Sequence, residues 1–278
     1  MTTYLFPGQG SQARGMGGDL FSEFSDLTQK TSDILGYSIT ELCLEDPEEK
    51  LGHTNYTQPA LYVVNALTYL KKADKPTYVA GHSLGEYNAL FAADVFDFET
   101  GLKLVQKRGE LMSQATGGGM AAVVGMKSDD IQTLLQSKRL DNISIANYNS
   151  NMQIVISGPK ADIDAAKLIF EEAGAKLFIP LKVSGAFHSS YMNDAQTIFT
   201  DFLKTFNFQA PTIPVIANIT ATPYEAQDIQ TNLAKQITHP VRWTKTIEYL
   251  LAQGETEFVE IGPGTVLAGL VKRIQKGQ

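Results

Sequence analysis

One short segment constrains the fold of this chain more than any other, because it joins a buried strand to a helix through a turn of small residues. Residues 78–80, Tyr-Val-Ala, have the composition of a buried strand, and residues 81–85, Gly-His-Ser-Leu-Gly, follow directly. A helical pattern resumes at 88–91. The turn matches G-x-S-x-G, in which small residues are needed where the strand and helix backbones nearly touch. The segment therefore predicts an α/β protein.

Ser83 in this turn is a candidate nucleophile. A sharp strand-to-helix turn lifts the serine hydroxyl off the sheet. It also places the N–H of Leu84 at a helix start, where amides have no helical acceptor and can bind an oxyanion. The alternative interpretation is a tight turn with an incidental serine. The strand before the motif and the helix after it favour the catalytic interpretation.

A second glycine-rich turn follows the first predicted strand. Residues 4–6 are apolar and residues 7–12 read Pro-Gly-Gln-Gly-Ser-Gln, which indicates a site at the carboxyl end of that strand. Further elements are predicted by their periodicity, with helices at 19–36, 57–72 and 100–115, strands at 215–218 and 258–260, and a final helix after residue 264. Pro59 should stand near the start of the second of these helices.

The middle of the chain has a different order of elements. Strand, helix, strand, strand, helix and strand are predicted at 120–126, 128–137, 143–146, 153–157, 161–173 and 176–182. This βαββαβ order is that of a ferredoxin-like unit. Glycines at 117–119 and 185 would act as hinges on either side of it. We expect a hydrolase-like parallel-sheet domain formed by residues 1–118 and 186–278, with a ferredoxin-like small domain inserted at 119–185.

Composition narrows the class of protein. The 278 residues are 43% hydrophobic and 19% charged, which is typical of a globular chain with an ample core. The net charge is −7, and no cluster of Lys and Arg offsets it, so nucleic-acid binding is disfavoured. No signal peptide and no apolar run of about 20 residues is visible, so we expect a soluble, cytoplasmic protein without membrane contact.

Neither a metal nor a nucleotide cofactor is expected. Cys43 is the only cysteine, which excludes an internal disulfide and a cysteine-based metal site. No His, Asp and Glu cluster has metal-ligand spacing. The glycine runs at 8–10 and 117–119 match neither G-x-G-x-x-G nor the P-loop, so no phosphate-binding loop is predicted.

A serine nucleophile requires a base, and the chain contains four histidines. His82 adjoins Ser83, so the turn should point its ring elsewhere, and His53 lies in a turn-like segment with little signal. His188 lies in a small-residue loop at the expected seam of the two domains, where ligand clefts concentrate. The usual hydrolase order of serine, aspartate and histidine would instead favour His239. The residues alone leave both candidates open.

Several ordered motifs along nearly the whole chain resemble malonyl-CoA:acyl-carrier-protein transacylases. The matching segments are 6–12, 81–87, 108–112, 185–189, 240–244 and 260–264. The resemblance implies a hydrolase-like α/β domain with a ferredoxin-like insert, in agreement with the order of elements above. The family's chemistry transfers malonyl from malonyl-CoA, through an acyl-serine, to the phosphopantetheine thiol of an acyl carrier protein.

The resemblance also implies roles for particular residues. Ser83 would be the nucleophile and His188 the base, which leaves His239 as a loop residue. A main-chain or side-chain oxygen of Gln236 would hold His188. The N–H groups of Gln9 and Leu84 would form the oxyanion hole. The side chains of Gln58 and Asn147 would lie near the acyl pocket.

Arg108 would decide which acyl group the site accepts. Malonyl differs from acetyl by a carboxylate, which a planar guanidinium can bind with two parallel hydrogen bonds. The alternative is a helix-surface arginine paired with Glu99 or Glu110. Phe187, next to His188, resembles the malonyl-selective members of the family, since members that take methylmalonyl tend to carry a smaller residue there.

The expected function is therefore malonyl transfer to a carrier protein by a monomeric enzyme. An acyl-carrier-protein thioester hydrolase of the same fold is the alternative, but a general hydrolase gains nothing from a carboxylate clamp. A catalytically silent docking module is the third possibility, and the set Ser83, His188 and Arg108 disfavours it. Asn88 resembles the residue of freestanding enzymes that serve polyketide synthases, whereas fatty-acid members more often carry Ser or Thr, so the polyketide role is favoured.

The acidic total opposes both expected partners, because coenzyme A is anionic and carrier proteins of this kind are acidic. Binding should therefore depend on local cations around the mouth of the site. The candidates are Lys182, Lys235, Arg242, Lys245, Lys272 and Arg273.

Overall fold

Two four-stranded sheets organise the computed structural model, which describes residues 1–277. In chain order the strands are β1 (Thr2–Phe6), β2 (Tyr78–Gly81), β3 (Gly118–Val124), β4 (Ser144–Ser150), β5 (Gln153–Pro159), β6 (Leu177–Pro180), β7 (Val215–Ile216) and β8 (Glu257–Glu260). The first sheet has the order β7-β2-β1-β8 and is parallel, and the second has the order β4-β5-β3-β6 and is antiparallel.

Helices connect and cover both sheets. Those within residues 1–277 are α1 (Leu20–Glu23), α2 (Ser25–Leu35), α3 (Ile39–Leu44), α4 (Thr54–Leu70), α5 (Gly85–Ala92), α6 (Phe98–Gln114), α7 (Ser128–Ser137), α8 (Lys160–Glu172), α9 (Asn193–Leu203), α10 (Ile229–Gln236), α11 (Trp243–Ala252) and α12 (Val266–Gln275). None of them has the length and apolar character that a bilayer crossing requires.

The parallel sheet is buried on both faces. Successive side chains of a strand point to opposite faces, so Tyr4 and Phe6 of β1 join one apolar cluster, and Leu5 joins another. The first cluster also contains apolar side chains of α4, α5 and α6, and the second contains those of α11 and α12. A parallel sheet covered on both faces explains why its strands are apolar at almost every position.

The antiparallel sheet has a core of its own. Ile131 of α7 and Ile163 and Phe170 of α8 pack with Val123 of β3 and Ile154 of β5. The spacing of apolar residues along α7 and α8 gives each helix one buried face, which covers the sheet. The order β3-α7-β4-β5-α8-β6 is the βαββαβ order that the sequence predicts.

Several predicted boundaries are wrong. The helix predicted at 19–36 is broken at Phe24 into α1 and α2. α4 begins at Thr54, so Pro59 is its sixth residue and leaves the Asn55 carbonyl without an N–H partner in the helix. β4 continues to Ser150 rather than ending at 146, because residues 147, 148 and 150 pair with β5. In addition, the Tyr148 N–H donates to the Val241 carbonyl at 2.9 Å. This bond satisfies a backbone group within a polar segment that does not look like a strand.

The two site-bearing turns leave the parallel sheet side by side. Phe6 at the end of β1 pairs with Gly81 at the end of β2. Because parallel strands present their carboxyl ends at the same edge, the turn at 7–12 and the turn at 82–84 meet there. Each turn by itself predicts a site beyond the end of its strand. Because the two turns meet, both predict the same site.

Candidate active site

The turn after β2 holds Ser83 in an uncommon backbone conformation. Its φ is +52°, in the left-handed region that most side chains avoid. The glycines on either side allow this geometry, since a Cβ on Gly81 would overlap the backbone of Gly85, and a Cβ on Gly85 would overlap the Phe6 carbonyl. β1, β2 and α5 thus approach each other more closely than side chains would permit.

Ser83 and His188 form a hydrogen-bonded pair. Ser83 Oγ lies 2.8 Å from His188 Nε2, although the residues are 105 positions apart. His188 Nδ1 lies 2.8 Å from the main-chain oxygen of Gln236 and 3.1 Å from that of His239. A carbonyl oxygen can only accept, so Nδ1 carries the proton and the Nε2 lone pair faces the serine hydroxyl. This is the tautomer that a general base requires.

The environment keeps His188 neutral. The residue is 4% exposed, and burial, followed by the nearby Arg108 charge, lowers its pKa to about 3. A neutral imidazole at all ordinary pH values can accept the serine proton. The structure therefore favours His188 in the choice that the sequence left open, while the exposed His239 ring contacts Thr238 and Lys235.

Gln236 holds the site through its main chain and its side chain. Its main-chain oxygen binds His188, which decides between the two possibilities that the sequence left. The side-chain Nε2 donates to the Ser83 carbonyl at 2.8 Å and, in a short hydrogen bond, to Glu86 Oε2. Its Oε1 accepts from Arg108 at 2.9 Å.

Arg108 is a buried cation, not a surface arginine. It is 1% exposed on α6, and its guanidinium donates to Gln58 Oε1 at 2.8 Å, to Gln236 Oε1 at 2.9 Å and to Ser83 Oγ at 3.2 Å. The alternative pairing is wrong, because Glu99 binds Lys30 and Glu110 binds Lys107.

No carboxylate of the described residues is in direct contact with Arg108. Within residues 1–277 it forms no ion pair, and its Nε has no hydrogen-bond partner. Burial lowers the pKa of the guanidinium, which is a sign that the charge is poorly solvated. The nearest carboxylate is that of Glu86, which Gln236 separates from the guanidinium. A buried cation with no anion in direct contact favours an anionic ligand over a neutral one.

A cavity of about 190 Å³ gathers the predicted residues. Its lining includes Gln9, Gln58, Ser83, Leu84, Arg108, Asn147, Phe187 and His188. Gln236 lies behind the lining and is fully buried. Met120 and Val155 of the antiparallel sheet also contribute, so the cavity lies between the two sheets.

Two main-chain donors border the serine. Neither the Gln9 N–H nor the Leu84 N–H donates a hydrogen bond to another group in the described part of the chain. Gln9 is held instead by its side chain, which donates to Thr54 Oγ1 at 3.2 Å. Two free N–H groups in the cavity that contains the serine are what an oxyanion hole needs.

His82 takes part in another contact. Its Nε2 lies 2.8 Å from Asn149 Oδ1, and its ring centroid lies 5.4 Å from that of Trp243. The Asn147 side chain also approaches His82, at 3.4 Å. The pairing partner of Ser83 is therefore His188, although His82 is its neighbour in sequence.

Two polar residues of the site were missed by the sequence analysis. Asn218 accepts the Ser83 N–H at 2.7 Å, and the Glu86 carboxylate binds both Asn218 and Gln236. Asn218 follows the short strand β7, and a polar residue at the carboxyl end of a parallel strand was a readable signal. Glu86 lies inside the motif at 81–87, but its partners Asn218 and Gln236 are distant in sequence, so the motif does not show which groups the carboxylate binds.

Four of the six predicted cations divide into two groups, whereas Lys235 and Lys272 are exposed and line neither the cavity nor the groove described next. Arg273 binds Gln153, which lines the cavity, and Lys182 lies between the lining residues Leu181 and Val183. Arg242 and Lys245 line a separate groove that also contains Asp129 and Glu248. The Arg273 and Lys182 positions therefore fit a cationic rim at the cavity, and the Arg242 and Lys245 positions do not.

A half-buried serine paired with a buried histidine, two free N–H groups and an arginine without a direct ion pair meet in one cavity. This arrangement is typical of α/β proteins that can carry an acyl group on serine. A family model described as an acyl transferase domain matches residues 3–277. BaeC of Bacillus velezensis, a polyketide biosynthesis malonyl CoA-acyl carrier protein transacylase, is 58% identical, over 99% of this chain and 97% of that protein. The chain belongs to the malonyl-CoA:acyl-carrier-protein transacylase family.

Solved structures have the same fold. The crystal structure of a malonyl CoA-acyl carrier protein transacylase from Burkholderia pseudomallei is 50% identical, with a TM-score of 0.97 over 100% of this chain and 99% of that one. A malonyl-transacylase in complex with its type II polyketide synthase acyl-carrier protein is 37% identical, with a TM-score of 0.94 over 99% of this chain and 93% of that one. The parallel and antiparallel sheets are thus those of solved transacylases.

Proposed function

We propose that this protein transfers malonyl from malonyl-CoA to the phosphopantetheine thiol of an acyl carrier protein in polyketide biosynthesis. The observation that carries the proposal is Arg108, a buried guanidinium without an ion pair that donates to Ser83 Oγ at 3.2 Å. An acyl group on Ser83 that ends in a carboxylate would supply the missing anion. A thioester hydrolase of the same fold has no use for that cation.

Two half-reactions use the same groups. Ser83 Oγ attacks the thioester carbonyl and His188 Nε2 takes the hydroxyl proton. The oxyanion is held by the N–H groups of Gln9 and Leu84. When the C–S bond breaks, His188 returns the proton to the coenzyme A thiolate. The carrier thiol then attacks the acyl-serine, its proton passes to His188, and the proton returns to Ser83 Oγ as the ester bond breaks.

The neutral oxygens that hold His188 favour transfer over hydrolysis. Nδ1 donates to two carbonyls, not to a carboxylate. The imidazole is therefore a weaker base than in a triad with aspartate, in which the carboxylate stabilises the imidazolium. A weaker base suits a thiol, which loses its proton more readily than water does.

The domain organisation forms part of the proposal. Residues 1–118 and 186–278 constitute a hydrolase-like large domain whose elbow presents Ser83, and residues 119–185 constitute an inserted ferredoxin-like domain. One face of the antiparallel sheet forms a separate apolar cluster with α7 and α8, which supports this division, while Met120 and Val155 on its other face join the cluster of the parallel sheet. Because the cavity lies between the two sheets, the insert would form one wall of the malonyl pocket, including Asn147, and Phe187 would border it.

The polyketide role is supported by the similarity to BaeC and not by Asn88. Asn88 is buried, and its side chain donates to the Tyr62 carbonyl at 2.9 Å and accepts from Asn65 at 3.0 Å. Asn65 also donates to the Pro7 carbonyl at 3.0 Å, so the pair braces the turn that carries Gln9. The role of Asn88 is therefore internal, and it touches no surface that a carrier protein could recognise.

A carrier protein is the acceptor in this proposal, as in the structurally similar complex. Ser83, His188 and Arg108 of one chain meet in the cavity, so the proposed reaction needs no second copy, and we include a monomeric enzyme in the proposal. We place it in the cytoplasm, where coenzyme A thioesters and their carrier acceptors occur.

Mass spectrometry of the intact protein tests the reaction. Incubation with malonyl-CoA should give a malonyl adduct on Ser83 that persists in water and disappears when a phosphopantetheinylated carrier is added. Acetyl-CoA should give far less adduct, because it leaves Arg108 unpaired, and Ser83→Ala should give none. Rapid release of malonate to water would indicate the hydrolase, and the absence of any adduct would rule out both enzymes.

Transfer to the carrier should weaken with salt. The chain carries −7 overall, so an acidic carrier must bind through local cations such as Lys182 and Arg273. Raising the ionic strength from about 0.01 M to about 1 M shortens the range of electrostatic attraction from about 30 Å to about 3 Å. Transfer from the malonyl-enzyme to the carrier should then slow by about tenfold, because mobile ions screen the exposed charges. Transfer to an uncharged small thiol is the matched control and should change little. Equal salt dependence for the two acceptors would contradict the cationic rim.

A further inference from the structure

Both main-chain polar groups of Ser83 are bound by side chains from distant parts of the chain. Its N–H donates to Asn218 Oδ1 at 2.7 Å, and its carbonyl accepts from Gln236 Nε2 at 2.8 Å. A left-handed φ for a residue with a side chain costs of order 1–3 kcal/mol and persists only where the surroundings hold it. These two hydrogen bonds therefore hold the nucleophile in its exposed position.

The two side chains that hold Ser83 share one anchor. The Asn218 N–H donates to Glu86 Oε1 at 2.8 Å, and Gln236 Nε2 donates to Glu86 Oε2 in a short hydrogen bond. The Tyr224 hydroxyl also donates to Oε1, at 2.8 Å. Glu86 is 1% exposed and lines neither the cavity nor the surface. Its carboxylate accepts three hydrogen bonds and contacts no reacting atom.

The Glu86 carboxylate also sets the orientation of the Gln236 amide. The amide has two N–H donors, and these go to the Ser83 carbonyl and to Glu86 Oε2. Its oxygen is thereby turned towards Arg108, whose Nη2 donates to it at 2.9 Å. The main-chain oxygen of the same residue binds His188. The Glu86 carboxylate therefore binds Asn218 and Gln236 directly. These two residues in turn bind Ser83, His188 and Arg108.

We infer that Glu86 is a positioning residue, whose carboxylate holds Asn218 and Gln236 so that Ser83, His188 and Arg108 stand in reacting geometry. The inference rests on the proposed function for its reaction but not for its geometry. A glutamine at this position would keep an oxygen for Asn218 and Tyr224 and would turn an NH₂ group towards Gln236 Nε2. Two donors would then face each other, and the Gln236 amide would have to rotate away from Ser83 and Arg108.

The positioning role requires the ionised carboxylate, since a protonated oxygen would also face a donor. Burial raises the pKa of Glu86 to about 7, against the effect of its three hydrogen bonds and of Arg108. Arg108 on α6 is the charged group that faces Glu86, and Tyr224 and Tyr87 stay neutral because burial raises the pKa of both phenols. The helix and strands that pack most closely against α5 besides α6, namely α4, β1 and β2, contain no charged residue. The charged residue of α10, which carries Gln236, is the exposed Lys235.

Glu86→Gln tests the inference through the reactivity of Ser83. We expect kcat for malonyl transfer to fall by about 10²-fold, the scale of a displacement near 1 Å in an active site. Labelling of Ser83 by a small uncharged fluorophosphonate should fall as well, because the nucleophile itself is displaced. Glu255→Gln is the matched control, since Glu255 is equally buried and accepts from Thr3 at 2.9 Å, far from the cavity. Wild-type labelling in Glu86→Gln would overturn the inference.

The pH profile separates a positioning role from a purely structural one. Wild-type activity should decline as pH falls through about 7, because Glu86 then takes up a proton, whereas the His188 pKa of about 3 lies well below this range. Glu86→Gln should lack this decline, and Glu255→Gln should keep it.

Tyr224→Phe keeps the test decisive if Glu86→Gln does not fold. It removes one hydrogen bond to the Glu86 carboxylate, so the pKa of Glu86 should rise. The loss of activity at low pH should then occur at a pH about one unit higher than in the wild type. An unmoved decline would overturn the inference. A wild-type protein that is labelled normally but never transfers malonyl would contradict the proposed function and leave the role of Glu86 standing.

Discussion

Replacing His188 with alanine is expected to slow malonyl transfer by about 10⁴-fold or more, the scale of losing the base of a serine nucleophile. The reason is the 2.8 Å hydrogen bond between Ser83 Oγ and His188 Nε2, together with a pKa of about 3 that keeps the imidazole neutral. Without the ring, the remaining side-chain hydrogen bond of Ser83 Oγ within residues 1–277 comes from the Arg108 guanidinium, which cannot take a proton. Single-turnover formation of the malonyl-enzyme measures the effect before the carrier becomes involved.

The matched variant is His239→Ala. It removes the exposed ring that the hydrolase order of residues would favour, and it retains the main-chain carbonyl that accepts from His188 Nδ1 at 3.1 Å. A surface substitution of this kind should change the rate by no more than about twofold. If His239→Ala were the slower of the two variants, the assignment of the base would be wrong. Thermal unfolding of both variants shows whether either effect arises from loss of the fold.

Replacing Arg108 with alanine should lower kcat/KM for malonyl-CoA by about 10²- to 10³-fold, the scale of losing one partner of a buried charge pair. The rate with acetyl-CoA should fall much less, so the preference between the two substrates should narrow or reverse. The physical reason is that the buried guanidinium forms no ion pair in the described part of the chain and disfavours a neutral acyl group. Measurement at about pH 8 keeps Glu86 ionised.

Two further variants sharpen this result. Arg108→Lys keeps the charge but loses the planar pair of donors, so its kcat/KM should lie between those of wild type and Arg108→Ala. Arg14→Ala, which removes an exposed arginine, is the control for a general effect of charge. A retained preference for malonyl in Arg108→Ala would show that another group recognises the carboxylate.

The sequence predicted the elements in which apolar residues recur with a clear helical or strand period. The helix predicted at 128–137 is α7 to the residue, since Ile131 and Leu135 mark its buried face. The boundaries of α4 and β4 were wrong, because a proline is tolerated inside a buried helix and because the polar segment at 147–150 pairs with β5. The helices α9, α10 and α11 were not predicted. Trp243, Ile247 and Leu250 form a helical stripe in α11 that was readable in the sequence.

For the site, the sequence showed which residue types are present, and the two turns indicated where they gather. The glycines at 81 and 85 required a close approach of backbones, so the position of Ser83 followed from local chemistry. Arg108 was more difficult, because an arginine on a helix can pair with Glu99 or Glu110 or turn inward. Only the burial of its side chain and the pairing of those glutamates with Lys30 and Lys107 decided it.

The sequence by itself determined the α/β class, the tight turn that carries Ser83 and the inventory of polar side chains. The tertiary structure alone decided how they are held, which includes the main-chain oxygen that binds His188, the unpaired state of Arg108 and the Glu86 carboxylate behind Gln236. The reason is that these contacts join residues that lie 48 to 150 positions apart. A main-chain carbonyl is the same in every residue, so its role leaves no mark on the sequence.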